Sequence, residues 1–324
     1  MKIIEIAAIG ELLVEVMRKE VDIPLAVPAD FIGPFPSGAP AIFIDQAARL
    51  GAKTAIFGSV GDDDFGKVLL DRLRSDGVDT SGVRVLRGHT TGVAFVTYFS
   101  DGSRKFIFHL PHSAAAQILW EQVGEEVLQG LKFLHITGSA LAMSDSCKDV
   151  CYRAVEIVKS AGGKVSFDPN LRPELLDTEE IRKILRPVLE ACDLLLPSSE
   201  ELVLATGRPV EEAICELLDK GKIIALKLGK HGSKVFTPER QINAPPFPIE
   251  EITNVVDPTG AGDCYDAAFV VGLVRGWELE AIALFANAVG ALSTTKKGPM
   301  EGAMWFDEVC KLMQKVGWKP PPPE

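Results

Sequence analysis

Short apolar runs alternate with segments of helical spacing along most of this chain, and that alternation limits the fold more than any other feature. The runs are Ile3–Ile9, Thr54–Val60, Phe133–Ile136, Lys164–Asp168, Asp193–Leu196 and Ile223–Leu228. Between them, helical periodicity covers Ala41–Leu50, Phe65–Ser75, Cys147–Ala161, Ile181–Ala191 and Val210–Lys220. Strands that are apolar at nearly every position must be covered on both faces, and the intervening helices supply that cover. The expected fold class is α/β, built on a parallel sheet.

One region breaks the rhythm. Gly92–Phe99 and Ser103–Phe108 alternate apolar and polar residues and are joined through Ser100-Asp101-Gly102. Asp-Gly between two alternating runs is a hairpin signal, and alternation means that one face is solvated. Leu12–Arg18 has a similar look. Together they predict a small antiparallel flap beside the main sheet: a lid, an interface, or an edge hairpin that does not move.

Composition narrows the function. A chain of 324 residues, 47% of them hydrophobic, can bury one large core or two smaller ones. The net charge of −11 argues against nucleic acid or an anionic membrane as partner, since both want a basic face. Nucleotide phosphates remain open, because they need only local amides and a few cations. The six cysteines form no C-x-x-C pair, and Cys147 and Cys151 have no histidine at metal-ligand spacing, so reduced cytoplasmic thiols fit best. Met1–Ile6 reads as a first strand rather than a signal peptide. The best apolar run, Ala281–Leu292, is too short to span a membrane, and Pro320–Pro323 is a stiff tail.

The stretch that carries chemistry is Val256-Asp257-Pro258-Thr259-Gly260-Ala261-Gly262-Asp263-Cys264, followed by an apolar helical segment to Arg275. Glycines at the amino end of a helix expose free N–H groups and the positive end of the helix dipole, which together bind anions. Asp263 in the first turn has two readings. It is either an ordinary acidic helix start or a base facing an electrophile held in that hole. Two other glycine motifs fail on inspection. Gly61–Lys67 matches a P-loop, but Val68 stands where Ser or Thr should hold a metal, and three carboxylates crowd the loop. Gly260-Ala261-Gly262 meets Tyr265 where a dinucleotide fold needs a small residue. The five histidines make no triad and no zinc spacing.

Several stretches then fall into one order. Asp257–Asp263 resembles the C-terminal signature of the ribokinase-like (PfkB-type) sugar kinases. Ser37-Gly38-Ala39-Pro40-Ala41 is similar to their N-terminal glycine signature, and Val60–Gly66, Asp168-Pro169-Asn170-Leu171-Arg172 and Lys227–Gly232 resemble further blocks. The resemblance runs from Gly10 to about Gly302. It implies a Rossmann-like, mostly parallel sheet with a β-lid, one domain over 1–319, lid segments at about 11–36 and 91–110, and a homodimer formed through the lid. It implies transfer of the γ-phosphoryl of ATP, with Mg²⁺, to a sugar hydroxyl.

The same resemblance assigns residues. Asp263 falls on the catalytic base and Gly260, Ala261 and Gly262 on the anion hole. Lys227, Gly229, Gly232, Ser198 and Asn287 fall on the ATP side, with Ser198 replacing a usual Asn while Glu201 is kept. Glu15, Gly38, Ala39, Arg172 and Asp263 fall on the sugar side. Some members place a monovalent cation such as K⁺ beside the hole, where Asp257 and Thr259 stand here. Leu110 occupies the position of an Arg that grips a carboxylate in 2-keto-3-deoxygluconate kinases, which favours a neutral sugar such as tagatose or fructose. That acid-sugar kinase, ribokinase, and a non-catalytic nucleotide or sugar binder on the same fold are the alternatives.

Overall fold

The computed structural model describes residues 3–170 and 178–322. In chain order the strands among them are β1 (Ile6–Ile9), β2 (Leu13–Arg18), β3 (Phe31–Ser37), β4 (Thr54–Gly61), β5 (Val83–Leu86), β6 (Gly92–Tyr98), β7 (Arg104–His109), β8 (Phe133–Thr137), β9 (Lys164–Asp168), β10 (Leu194–Leu195), β11 (Ile223–Lys227), β12 (Ser233–Phe236) and β13 (Gln241–Ala244). Nine of them make one sheet in the order β13-β12-β11-β10-β9-β8-β1-β4-β5. It is parallel from β11 to β5, and β12 and β13 add an antiparallel edge. Helices cover both faces, so β1, β4 and β8 are buried at every position. The strand direction of connection reverses around β1, and in open α/β sheets the crevice at that point is where ligands bind.

The second sheet has the order β3-β2-β6-β7. Its β2–β3 and β6–β7 ladders are antiparallel, as expected of the flap, while the central β2–β6 pair is parallel. Side chains alternate across it. Leu13, Glu15, Arg104, Phe106 and Phe108 face a cleft against the large sheet, while Phe31, Phe95 and Ile107 lie on the outer side, Phe31 and Ile107 40% and 45% exposed. The expected strand at Ile3–Ile9 begins only at Ile6, because Ile3 lies outside the sheet, 69% exposed. The Asp193–Leu196 run keeps only two ladder residues. Edge strands β5, β12 and β13 have no counterpart in the apolar runs, since partly solvated edges lack a continuous apolar signal.

Two apolar layers flank the large sheet. One holds Phe43, Phe269 and Phe285 from the Ala39–Arg49, Ala261–Arg275 and Leu279–Ser293 helices. The other is packed by the Asp145–Ser160 and Thr178–Ala191 helices. The Ala261–Arg275 helix is buried from Asp263 through Gly272, so apolar residues surround it instead of forming a stripe.

His135, at the middle of β8, is a core residue. Its ring stacks on Phe43 with centroids 3.7 Å apart, and Nδ1 pairs with Ser166 Oγ at 3.0 Å. Burial drives its pKa down to about 3. Between that value and the ordinary one near 6.5, the unfolded chain binds a proton that the folded chain refuses, so stability falls as pH drops through this window. Over pH 7 to 5 the loss from this group is about 2 kcal/mol. Urea unfolding of a His135→Gln variant at the two pH values should show that much less acid destabilisation than the native chain; equal losses would refute the assignment.

Candidate active site

Parallel strands bring their carboxyl ends to one edge of the sheet. The residues at or just beyond the ends of β1, β8, β9 and β11 therefore meet there: Glu11, Ser139, Asp168 with Asn170, and Lys227. Two helices point their amino ends at the same edge. The Ala39–Arg49 helix starts after Gly38 (φ 109°), and the Ala261–Arg275 helix starts after Gly260 (φ 81°). Both caps require glycine. A Cβ on Gly38 would strike the Glu11 carbonyl, and one on Gly260 would lie 2.6 Å from the Pro299 carbonyl. The lid closes the opposite side with Arg104, Phe106, Phe108 and Leu110, leaving a cleft of about 570 Å³.

The floor is charged and tightly bonded. Lys227 Nζ lies 3.1 Å from both Asp168 Oδ2 and Asp266 Oδ2. Burial works against the ammonium, but Asp168 and Asp266 together hold its pKa above the ordinary lysine range. Burial pushes Asp266 well up, whereas Lys227 overcomes the burial of Asp168 and holds that carboxyl down. Asn170, in a left-handed backbone conformation (φ 36°), donates through Nδ2 to Asp263 Oδ1 at 3.2 Å and to Asp168 Oδ2 at 3.4 Å. Asp263, only 8% exposed, is held in the first turn of its helix beside the glycine cap.

On the lid side, Ser37 Oγ donates to Glu15 Oε1 and Ser139 Oγ to Glu11 Oε1, both at 2.7 Å. Ser37, which departs from the glycine signature, therefore orients an acid of the cleft wall. The structure brings together Glu15, Gly38, Ala39, Ser198, Lys227, Gly229, Thr259, Gly260, Gly262 and Asp263 around the cleft. Ser198 also caps the Ser199–Thr206 helix, in a reciprocal box with Glu201. Gly232 and Asn287 stand behind the wall instead. Asn287 Nδ2 donates to the carbonyls of Ala244 and Pro245 at 3.3 and 2.8 Å, and Gly232 packs against the same segment. Arg172 lies outside the described residues.

Residues not singled out from the sequence also line the site: Glu11, Ser139, Asn170, and the lid residues Arg104, Phe106 and Phe108. For Glu11 and Asn170 the signal was a polar residue one or two places beyond a strand end. Asp257 is 2% exposed and accepts hydrogen bonds from Tyr98 Oη, Thr259 N and Gly298 N, each at 3.0 Å. Three of a carboxylate's roughly four acceptor positions are so used. The Tyr98 phenol contacts the side chains of both Asp257 and Thr259, the two residues expected beside a monovalent cation. Among the described residues no three His, Cys, Asp or Glu cluster as metal ligands.

A glycine-capped anion hole, an adjacent carboxylate and an acid-lined pocket under a lid define a phosphoryl-transfer site on an α/β sheet. The model for "pfkB family carbohydrate kinase" matches residues 4–305, and the chain belongs to that family. It is 33% identical to "Fructokinase-1" of Oryza sativa subsp. japonica over 96% of this chain and 98% of that protein. Its fold matches an E. coli protein described as a candidate "Ribokinase II" in complex with ATP and Mg (TM-score 0.89, 40% identity, 96% of this chain and 99% of that one). It also matches a Vibrio cholerae fructokinase bound to fructose, ADP and calcium (TM-score 0.83, 26% identity, 95% and 98% covered).

A methyl group at position 260 would combine left-handed strain, about 1–2 kcal/mol, with a backbone clash. Gly260→Ala should lower unfolding free energy by at least that amount in denaturant titration and cut turnover by about 100-fold. Native-like values for both would show that the cap is not needed.

Proposed function

We propose that this carbohydrate kinase transfers the γ-phosphoryl of ATP to a hydroxyl of a neutral sugar such as fructose or tagatose, with Asp263 as general base. The observation that carries the reading is Asp263 fixed beside the Gly260–Gly262 helix start, inside a closed cleft. Helix-terminal amides of residues 260–262 stabilise charge as it develops on the transferring group, a contribution of roughly 3 kcal/mol per donor in comparable sites. Asn170 donates to Asp263 Oδ1 and so orients the carboxylate that takes the hydroxyl proton as the new bond to phosphorus forms. The lid excludes water, so the sugar and not water is the acceptor.

The donor set fits a cation that arrives with the nucleotide: Glu201 lines the cleft with a carboxylate that would serve as an oxygen ligand, and among the described residues no cluster of His, Cys, Asp or Glu forms a protein cage of its own. Mg²⁺ held there with the phosphates would neutralise their charge. We read Lys227, Gly229 and Ser198 as the nucleotide side, with Gly232 and Asn287 shaping it from behind. Glu15, Gly38 and Ala39 form the sugar side. Leu110, 2% exposed, offers a carboxylate no partner, which supports a neutral acceptor. The names of the rice and Vibrio relatives support a ketohexose. We take 1–319 as a single kinase domain. No described helix is long and apolar enough to cross a membrane, and the free cysteines support a reducing, cytoplasmic setting.

ATP turnover with a panel of neutral ketoses, ribose and 2-keto-3-deoxygluconate tests this reading. Fructose or tagatose should give the highest kcat/KM, and Asp263→Asn should lower kcat by about 10²–10⁴-fold. Absence of sugar-stimulated ADP formation, or full activity of the variant, would overturn it. The outer lid face, with Phe31 and Ile107 exposed, supports a homodimer through the lid. Sedimentation should give a dimer for the native chain and a monomer for Ile107→Lys; a native monomer would dispose of the interface.

A further inference from the structure

Tyr98 and Arg104 are register partners on β6 and β7, and both reach from the lid to the turn before Gly260. Tyr98 Oη donates to Asp257 Oδ1 at 3.0 Å and also contacts Thr259 Oγ1. The phenol has a single proton, and it is committed to the carboxylate, so the Thr259 hydroxyl must donate to Tyr98. Arg104 Nη1 in turn donates to Thr259 Oγ1 at 3.3 Å. The hydrogen bonds therefore run in one direction: Arg104 to Thr259 to Tyr98 to Asp257. Asp257 closes the turn by accepting from Thr259 N and Gly298 N. Burial, then the nearby Asp257 charge, push the phenol's pKa up, so it remains a donor at working pH.

Gly260 has the left-handed conformation the anion hole needs, but glycine has the most backbone freedom of any residue and does not hold that conformation by itself. Something outside must fix the turn. If the lid swings away, the Thr259 hydroxyl loses both its partners and Asp257 loses one of three. Thr259 and Asp257 are 7% and 2% exposed in the closed form, so those losses would fall on groups now sealed from water.

We propose that Tyr98 is a positioning residue for the anion hole: its phenol ties the lid to the 257–260 turn, so that the hole is held in working shape only while the lid is closed. The inference rests on the kinase reading above. It couples two events that phosphoryl transfer to a sugar needs together, exclusion of water and assembly of the charge-stabilising amides, through one side chain that touches neither substrate.

Tyr98→Phe removes both phenol contacts, whereas Thr259→Val removes the Tyr98–Thr259 contact and leaves Tyr98–Asp257, and the second variant keeps the question answerable should the first fail to fold. Tyr98→Phe should lower kcat about tenfold, the scale of one hydrogen bond to a charged acceptor, and Thr259→Val by less, with KM for sugar and ATP within about threefold of native in both. The double variant should fall little further than Tyr98→Phe alone, since the Tyr98–Thr259 contact that Thr259→Val deletes is already lost there. In the free protein, amide hydrogen exchange of residues 257–263 should be faster in Tyr98→Phe than in the native chain. Native kcat in Tyr98→Phe, multiplicative losses in the double variant, or unchanged exchange would overturn the proposal. A native chain inactive on every sugar would instead sink the kinase reading, with exchange still deciding the tie.

Discussion

A buried ammonium is costly unless it is paired, and Lys227 is paired twice. It joins β11 to Asp168 at the end of β9 and to Asp266 in the Ala261–Arg275 helix. Strand ends and helix start are thereby locked in one arrangement, and the lysine carbon chain runs just under Gly262. Removing one member would leave the others charged and dry, a loss typically of 3–5 kcal/mol. The cleft inherits its geometry from this cluster. Asp168 also positions the Asn170 backbone N–H, and Asn170 in turn holds Asp263. Asp263, the base in the proposed reaction, is therefore placed by a chain of contacts that starts from one positive charge.

This arrangement lets a strongly acidic site accept a polyphosphate. The described cleft lining carries Glu11, Glu15, Asp168, Glu201 and Asp263 against Lys227 and Arg104. The carboxylates are separated by role. Glu11 and Glu15 are held by serine hydroxyls, Asp168 is neutralised by Lys227, and Asp263 takes an amide donor. In the proposed reaction phosphates meet backbone N–H groups rather than these acids, because two glycine caps turn helix ends toward the same space.

Most of the main sheet was legible, because β4, β8, β9 and β11 are buried on both faces and so appear as unbroken apolar runs. The two glycine caps were legible for a related reason: a helix start that binds an anion needs residues without side chains. The edge strands were not, since they carry only weak alternation. Asn170 stood in one of the matching blocks but was given no role, because that role depends on a left-handed turn that brings it to a residue 93 places later. The Tyr98–Asp257 contact spans 159 positions and belongs to the closed lid, which local pattern does not encode. Asn287 shows the converse: the resemblance marked it for the nucleotide side, while its amide donates to the carbonyls of Ala244 and Pro245, a contact that sequence pattern does not encode.

The Ala261–Arg275 helix, enclosed on every side, has a consequence for how such a kinase diverges. Nearly every substitution along it must be absorbed by packed neighbours in a core as dense as a crystal. The lid offers the opposite terrain, four strands bonded mainly to one another, with one face in solvent and the other over the acceptor. Selection for a new sugar therefore finds its tolerated variation in the lid, while the machinery of transfer is inherited nearly intact. Descendants of one gene can change their diet without relearning their chemistry.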